Sequence, residues 1–151
     1  MQPQLLTTTR GSIPMEVLIR DPSAGDQGYV ASTWVEQLCK ADHTAHRLEV
    51  GRTVDAVLDH PNTKLLLACD QERSAYILGW LCWAPIKAIR LVHFAYTRAA
   101  LRDRGVCSAL RGAAGLADDR PLVHTMRGPS FKSLAKKYPT AIEHSLQEFL
   151  Q

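Results

Sequence analysis

Much of what this chain lacks is informative. Its 151 residues hold four cysteines, and these (Cys39, Cys69, Cys82 and Cys107) stand far apart with no Cys-x-x-Cys pair. That spacing excludes a disulfide scaffold and a zinc ribbon. Cys39, Cys69 and Cys82 lie in apolar runs, which predicts buried thiols in a reducing compartment. His43 and His46 have no cysteine or carboxylate at ligand spacing on the same element, so no metal is expected. No apolar run approaches the roughly 20 residues that cross a bilayer. The opening MQPQLLTTTRGS has no apolar core of leader length. The cytoplasm is the expected location, with no membrane partner. Excess charge is also missing: a net +3 and a pI near 8.8 suit a polyanionic small molecule without requiring nucleic acid. No internal repeat or biased segment is present.

What is there is an ordinary folded composition, 46% hydrophobic and 22% charged, in a length that fits one domain with a substantial core. Residues 1–12 read as a polar, flexible lead-in, and 13–151 as a single domain. A first strand is expected over Ile13–Asp21, stopped by the turn cluster Asp21-Pro22-Ser23-Ala24-Gly25. A helix from about Asp26 follows, with Tyr29, Val30, Trp34 and Leu38 on one stripe. The polar stretch Ala41–Glu49 links it to a short helix over Arg52–His60, ended by Pro61-Asn62. Strands are expected at Lys64–Asp70, Ala75–Trp83 and Ile89–Thr97, separated by turns at Gln71–Ser74 and Pro85–Lys87. A further strand at Leu122–Met126 and a helix over Ser130–Tyr138 come later, and Pro139–Leu150 reads as a short helix or irregular tail.

The most telling stretch is Ala88–Leu116, where an apolar strand gives way to an Ala/Leu-rich helix from about Val106 through Arg102-Asp103-Arg104-Gly105. A helix start leaves backbone N–H groups without intrahelical acceptors and carries partial positive charge, so it suits a phosphate. Gly105 removes a Cβ that would hold a ligand off the backbone and permits positive φ. The residues read as a pyrophosphate cradle.

Arg102-Asp103-Arg104-Gly105-Val106-Cys107, followed by Ser108-Ala109-Leu110, resembles the acetyl-CoA signature of GNAT-superfamily N-acetyltransferases, Arg/Gln-x-x-Gly-x-Gly/Ala. Cys107 stands where that family has Gly or Ala. The order strand, helix, helix, three strands, helix also matches, and Ile77-Leu78-Gly79-Trp80 resembles the family's third strand. The resemblance covers roughly Ile13–Tyr138. It implies an α/β GNAT fold with a single mixed central sheet flanked by helices, and transfer of an acetyl group from acetyl-CoA, as cosubstrate, to an amine by direct attack. The acceptor class stays open between a small molecule, a protein and nucleic acid, and a homodimer is compatible with the resemblance.

Carried onto this chain, the resemblance places pantetheine along Phe94, Ala95, Tyr96 and Thr97. The pyrophosphate falls on the N–H groups of Arg104, Gly105, Val106, Cys107 and Ser108, with Arg102 and Arg104 adding charge. The family often uses a Glu on this strand as base; none is present here. His93 is the strand's only side chain that titrates near neutrality and is the candidate base, with His124 a second. Tyr138 occupies the helix where the family places its general acid. Two other readings remain open: a catalytically degenerate CoA-binding or protein-interaction module, and a phage-type nucleic-acid-modifying relative using Arg127, Lys132, Lys136 and Lys137.

Overall fold

Strand β3 (Lys64–Asp70) follows directly from its continuous apolar run, which suits a strand covered on both faces. Strand β5 (Ile89–Thr97) follows from a mostly apolar run that also carries Arg90 and His93, both buried. The computed structural model of the chain describes residues 1–8, 14–41, 43, 45–86, 89–117, 122–125, 142–143 and 150. Around β3 and β5 lie β1 (Gln4–Thr7), β2 (Glu16–Arg20), β4 (Ile77–Ile86), β6 (Leu122–His124) and β7 (Ile142–Glu143). They form one seven-stranded sheet in the order β1-β2-β3-β4-β5-β6-β7. Pairs from β1 to β5 are antiparallel, while β5–β6 and β6–β7 are parallel. The mixed sheet agrees with the expectation.

Helices α1 (Gln27–Ala41) and α2 (Arg47–Asp59) cover one face. Val30, Trp34, Val54 and Val57 pack there with Leu67, Trp80, Cys82 and Phe94. Helix α3 (Val106–Ala113) covers the other, with Val106 and Leu110 against Ile19, Ala68, Leu81 and Ala95. Trp34 and Trp80 are fully buried, their ring centroids 5.4 Å apart, and the Trp80 indole N–H donates to Thr33 Oγ1 at 2.9 Å. A buried polar tip is thereby satisfied inside an aromatic core. No described helix is long and apolar enough to cross a membrane.

Several boundaries differ from the sequence expectation. Gln4–Thr7, inside the expected flexible lead-in (1–12), is a strand paired with Glu16–Ile19. It is held by ladder bonds and buries little, so no period-two signal marks it. Helix α2 begins at Arg47, not Arg52: His46 precedes it without a side-chain cap, so no capping residue announces the start. Strand β4 continues through Pro85 to Ile86, where a turn was expected; Pro85 pairs with Arg90 near the end of the hairpin. Ile142–Glu143, in the expected helical or irregular tail, pairs with Val123–His124. Cys69 and Cys82 are buried as expected, but Cys39 is only half-buried, on α1. The expected helix over Ser130–Tyr138 lies outside the described residues.

One polar clamp joins the end of β2, the start of α1 and the β3–β4 turn. Arg20 Nη1 and Nη2 donate to Asp26 Oδ2 and Oδ1 at 2.7 and 3.2 Å, while Arg20 Nε and Nη2 donate to the Ser74 carbonyl. Asp26 Oδ2 also accepts from the Ser23 N–H and hydroxyl. The Arg20 guanidinium, aided by Ser23, holds the Asp26 carboxyl down at about 2. A lowered carboxylate contributes stability present above its ordinary value of 3.8 and lost as pH falls toward 2. Asp26→Ala strands a mostly buried arginine and is expected to cost about 2–3 kcal/mol at pH 7. Urea unfolding at pH 7 checks it, and a midpoint equal to wild type contradicts the clamp.

Candidate active site at the split between β5 and β6

The β5–β6 ladder is short: Arg90↔Leu122, Leu91↔Val123 and Val92↔His124. Thr125 N–H donates to the Val92 carbonyl at 3.2 Å, and no described strand pairs with β5 on that side beyond this point. At the same level the β4–β5 register jumps from Cys82↔Phe94 to Trp83↔Val92, leaving His93 as an extra residue. Such a bulge bends its strand and sharpens the twist, and it falls at the level where the described β5–β6 pairing ends. His93 sits at the apex, 1% exposed, with Nδ1 hydrogen-bonded to Thr125 Oγ1 at 2.6 Å.

Beyond the apex the β5 side chains part to the two faces. Phe94 stacks on Trp34 at 5.8 Å and Tyr96 on Trp80 at 6.0 Å, whereas Ala95 packs in the α3-side core. Thr97 pairs with Gly79, and its carbonyl accepts from Arg102 Nε at 3.3 Å. After Arg98 a single 3-10 turn, Ala99–Leu101, leads into Arg102–Gly105. Asp103 has φ 63° and Gly105 φ 89°, so two left-handed residues reverse the chain within this turn. Gly105 is the N-cap of α3, and its carbonyl accepts the first closing bond, from Ala109 N–H at 3.0 Å. Residues Val106, Cys107 and Ser108 thus form the first turn, the part of a helix whose N–H groups lack intrahelical acceptors.

Gly79 sets how closely α3 approaches. A Cβ there would lie 2.6 Å from the Tyr96 carbonyl oxygen and 3.1 Å from Val106 Cγ1. Only glycine lets β4 pass under both the end of β5 and the first residue of α3.

The structure therefore brings together Phe94, Ala95, Tyr96, Thr97, Arg102, Arg104, Gly105, Val106, Cys107 and Ser108 along one path from strand to helix start. Arg102 is exposed and Arg104 half-buried. His124 pairs with Val92 across the apex. Tyr138, and Arg127, Lys132, Lys136 and Lys137, lie outside the described residues. Among the described residues no three metal-capable side chains gather.

The likeness to solved structures accords with this architecture. A possible acetyltransferase from Clostridium difficile 630 superposes with a TM-score of 0.57 at 12% identity, over 80% of this chain and 86% of that one. A GNAT family acetyltransferase from Brucella melitensis in complex with acetyl-CoA gives 0.52 at 20% identity, over 77% and 79%. The chain has the GNAT fold. A ribosomal-protein-alanine N-acetyltransferase from Brucella melitensis biovar Abortus 2308 gives 0.54 at 17% identity, over 80% and 89%. No protein-family model matches the sequence, and no curated protein matches it.

Within this GNAT fold the apex histidine has an environment its sequence position did not reveal. Burial, with a smaller contribution from nearby His60, pushes the His93 imidazole down to about 4. The ring is therefore neutral at pH 7, and its stabilising contribution follows. Between about 4 and the ordinary 6.5 the unfolded chain holds the proton and the folded chain does not. Stability thus rises with pH across that window and is lost as pH falls through it. The loss is on the order of 3 kcal/mol. Unfolding at pH 7 and pH 4.5 measures it; in His93→Gln the difference should shrink by most of that amount. An unchanged pH slope in the variant contradicts the buried neutral ring.

Sequence reasoning also passed over Arg98. Its N–H donates to the Leu78 carbonyl at 2.9 Å and its Nε to the Ile77 carbonyl at 2.5 Å. Its guanidinium carbon lies 4.4 Å from the Tyr76 ring centroid and 5.2 Å from that of Tyr29. The residue ends a strand with no motif around it; only the fold sets it between two tyrosines.

Proposed function

We propose that this protein is an acyl-CoA-dependent N-acyltransferase, moving an acetyl group from acetyl-CoA to an amine by direct attack in a ternary complex. The observation that carries this reading is the coincidence at β5. The parallel ladder ends at Val92↔His124, the bulge falls on His93, and the same strand runs on into the left-handed Gly105 turn and the α3 start. Pantetheine lies along Phe94–Thr97, and the pyrophosphate sits on the helix start at Arg104–Ser108, with Arg102 and Arg104 adding positive charge. The short side chain of Cys107 takes the place of the small residue that lets the phosphates approach.

In the transfer, a neutral amine nitrogen attacks the thioester carbonyl carbon, the carbon–sulfur bond breaks, and the sulfur leaves as a thiolate that takes up a proton. The nitrogen gives up its own proton as the amide forms. Tyr138 is assigned the proton delivered to sulfur. For His93 the surroundings support a positioning role over that of a base. A group held near 4 is a weak base at neutral pH, and its Nδ1 is engaged by Thr125. It holds the apex of the split, and the amine proton leaves through water.

The absence of a carboxylate from β5 and the burial of His93 also support a second reading, a module that binds CoA without turnover. Calorimetric titration with acetyl-CoA, desulfo-CoA and ADP tests both. Saturable micromolar binding, shared in part by ADP, is expected. No heat at millimolar ligand overturns both readings, and binding without acetylation across an amine screen selects the module.

A further inference from the structure

On the α1 side of the sheet, beyond the phosphate cradle, an arginine is held rigidly with no counter-ion among the described residues. Arg98 is half-buried. Its backbone N–H and Nε are fixed by the carbonyls of Leu78 and Ile77, and its planar head lies between the Tyr76 and Tyr29 rings. Its two terminal nitrogens have no hydrogen-bond acceptor and no carboxylate partner among the described residues. Asp26 is taken by Arg20 and Ser23, and the Asp70 carboxylate accepts from the Glu72 and Arg73 N–H groups. A second guanidinium, that of Arg73, stands 4.9 Å from the centroid of the same Tyr76 ring, and Tyr76 is 41% exposed. The Tyr29 hydroxyl is buried, with Tyr96 as its neighbour. Burial pushes its phenol up to about 12, so it remains a donor.

We propose that Arg98, between Tyr29 and Tyr76 and beside Arg73, forms an oxyanion-binding subsite that takes a carboxylate or phosphate group. A guanidinium whose Nε is already tied presents its two outer nitrogens as a preset fork, the geometry that matches an oxyanion. Stacking on tyrosine fixes the plane without neutralising the charge. Two guanidiniums over one exposed ring concentrate positive charge there, which favours a bound anion.

The subsite lies on the α1 face, with Tyr29 and Tyr96 against the α1–α2 core, whereas the cradle begins α3 on the opposite face. Two ligands carry a group of this chemistry: an acceptor with an acidic substituent, and the 3′-phosphate of coenzyme A. Assignment to either rests on the acetyl-transfer reading; anion binding itself does not.

The Arg98 Nε–H, shielded by its bond to Ile77, provides the probe. Nitrogen-15-labelled full chain is titrated with sodium phosphate at constant ionic strength, alone and saturated with desulfo-CoA, while the Arg98 Nε–H resonance is followed. In parallel, wild type and Arg98→Gln are titrated calorimetrically with coenzyme A and 3′-dephospho-coenzyme A. A saturable shift that persists in the coenzyme-filled protein, with coenzyme affinity unchanged in Arg98→Gln, supports the subsite and assigns it to the acceptor. A loss of about tenfold for coenzyme A in Arg98→Gln, absent for the dephospho form, supports it and assigns the 3′-phosphate. A resonance unmoved in both states, with coenzyme affinity unchanged, overturns the proposal and leaves Arg98 a structural staple. Should Arg98→Gln not fold, Tyr76→Ala, which removes an exposed wall and keeps the charge, is expected to weaken phosphate binding severalfold. Equal binding in that variant counts against the subsite. Failure to bind coenzyme A at all refutes the functional reading alone, since the phosphate titration of the free protein still reports on Arg98.

Discussion

Gly105→Glu is expected to abolish acetyl-CoA binding at concentrations that saturate the wild type, a loss of about 100-fold or more. Two effects act together. Gly105 has φ 89° and ψ 9° as the N-cap of α3, a conformation that costs a residue with a Cβ about 1–2 kcal/mol. The new carboxylate also stands at the positive end of the helix, where it satisfies the N–H groups and repels the pyrophosphate. Gly105→Ala separates the two. It carries the backbone cost without the charge, so stability should fall by about 1 kcal/mol while most of the affinity remains. Calorimetry on both variants, with circular dichroism to confirm folding, measures this. A folded Gly105→Glu that binds acetyl-CoA like wild type removes the phosphate from this turn.

Gly79→Val should give the largest loss of stability. The first added carbon already meets the Tyr96 carbonyl oxygen at 2.6 Å and Thr97 Cα at 3.4 Å. Both are backbone of the adjacent strand and cannot swing aside as a side chain would. Relief requires β4 and β5 to separate, and α3 to lift from the sheet with them, at about 3 kcal/mol. For a chain of this size that corresponds to a fall in melting temperature of roughly 6–12 °C. Lifting α3 also shifts Val106, whose Cγ1 lies 3.1 Å from the added carbon, so coenzyme affinity should fall with stability. Gly112→Ala is the control: nothing lies within 4 Å of a Cβ there, and helix propensity favours the change. A Gly79→Val melting temperature within a degree or two of wild type contradicts the packing described.

The sequence by itself determined the elements whose signals are local. The run Lys64–Asp70 is continuously apolar between its charged ends, and Ile89–Thr97 is a mostly apolar run bounded by turn residues, so both were marked without reference to any neighbour. Gly105 ahead of an Ala/Leu-rich segment marked the start of α3, because left-handed backbone and unpaired helix N–H groups are properties of a few consecutive residues. The strand–helix order was legible for the same reason.

Tertiary structure alone decided the rest. The bulge at His93 exists only as a mismatch between β4 and β5, and neither strand's own pattern records it. His93 reads from sequence as a histidine poised to titrate near neutrality. Burial at the apex, beside Thr125, 32 residues away and just past the end of β6, makes it a neutral strut instead. Arg98 is an unremarked residue at a strand end until α1 supplies Tyr29 and the β3–β4 turn supplies Tyr76. Desolvation, register and ring stacking depend on which distant segments meet, so composition and periodicity along one stretch carry no trace of them.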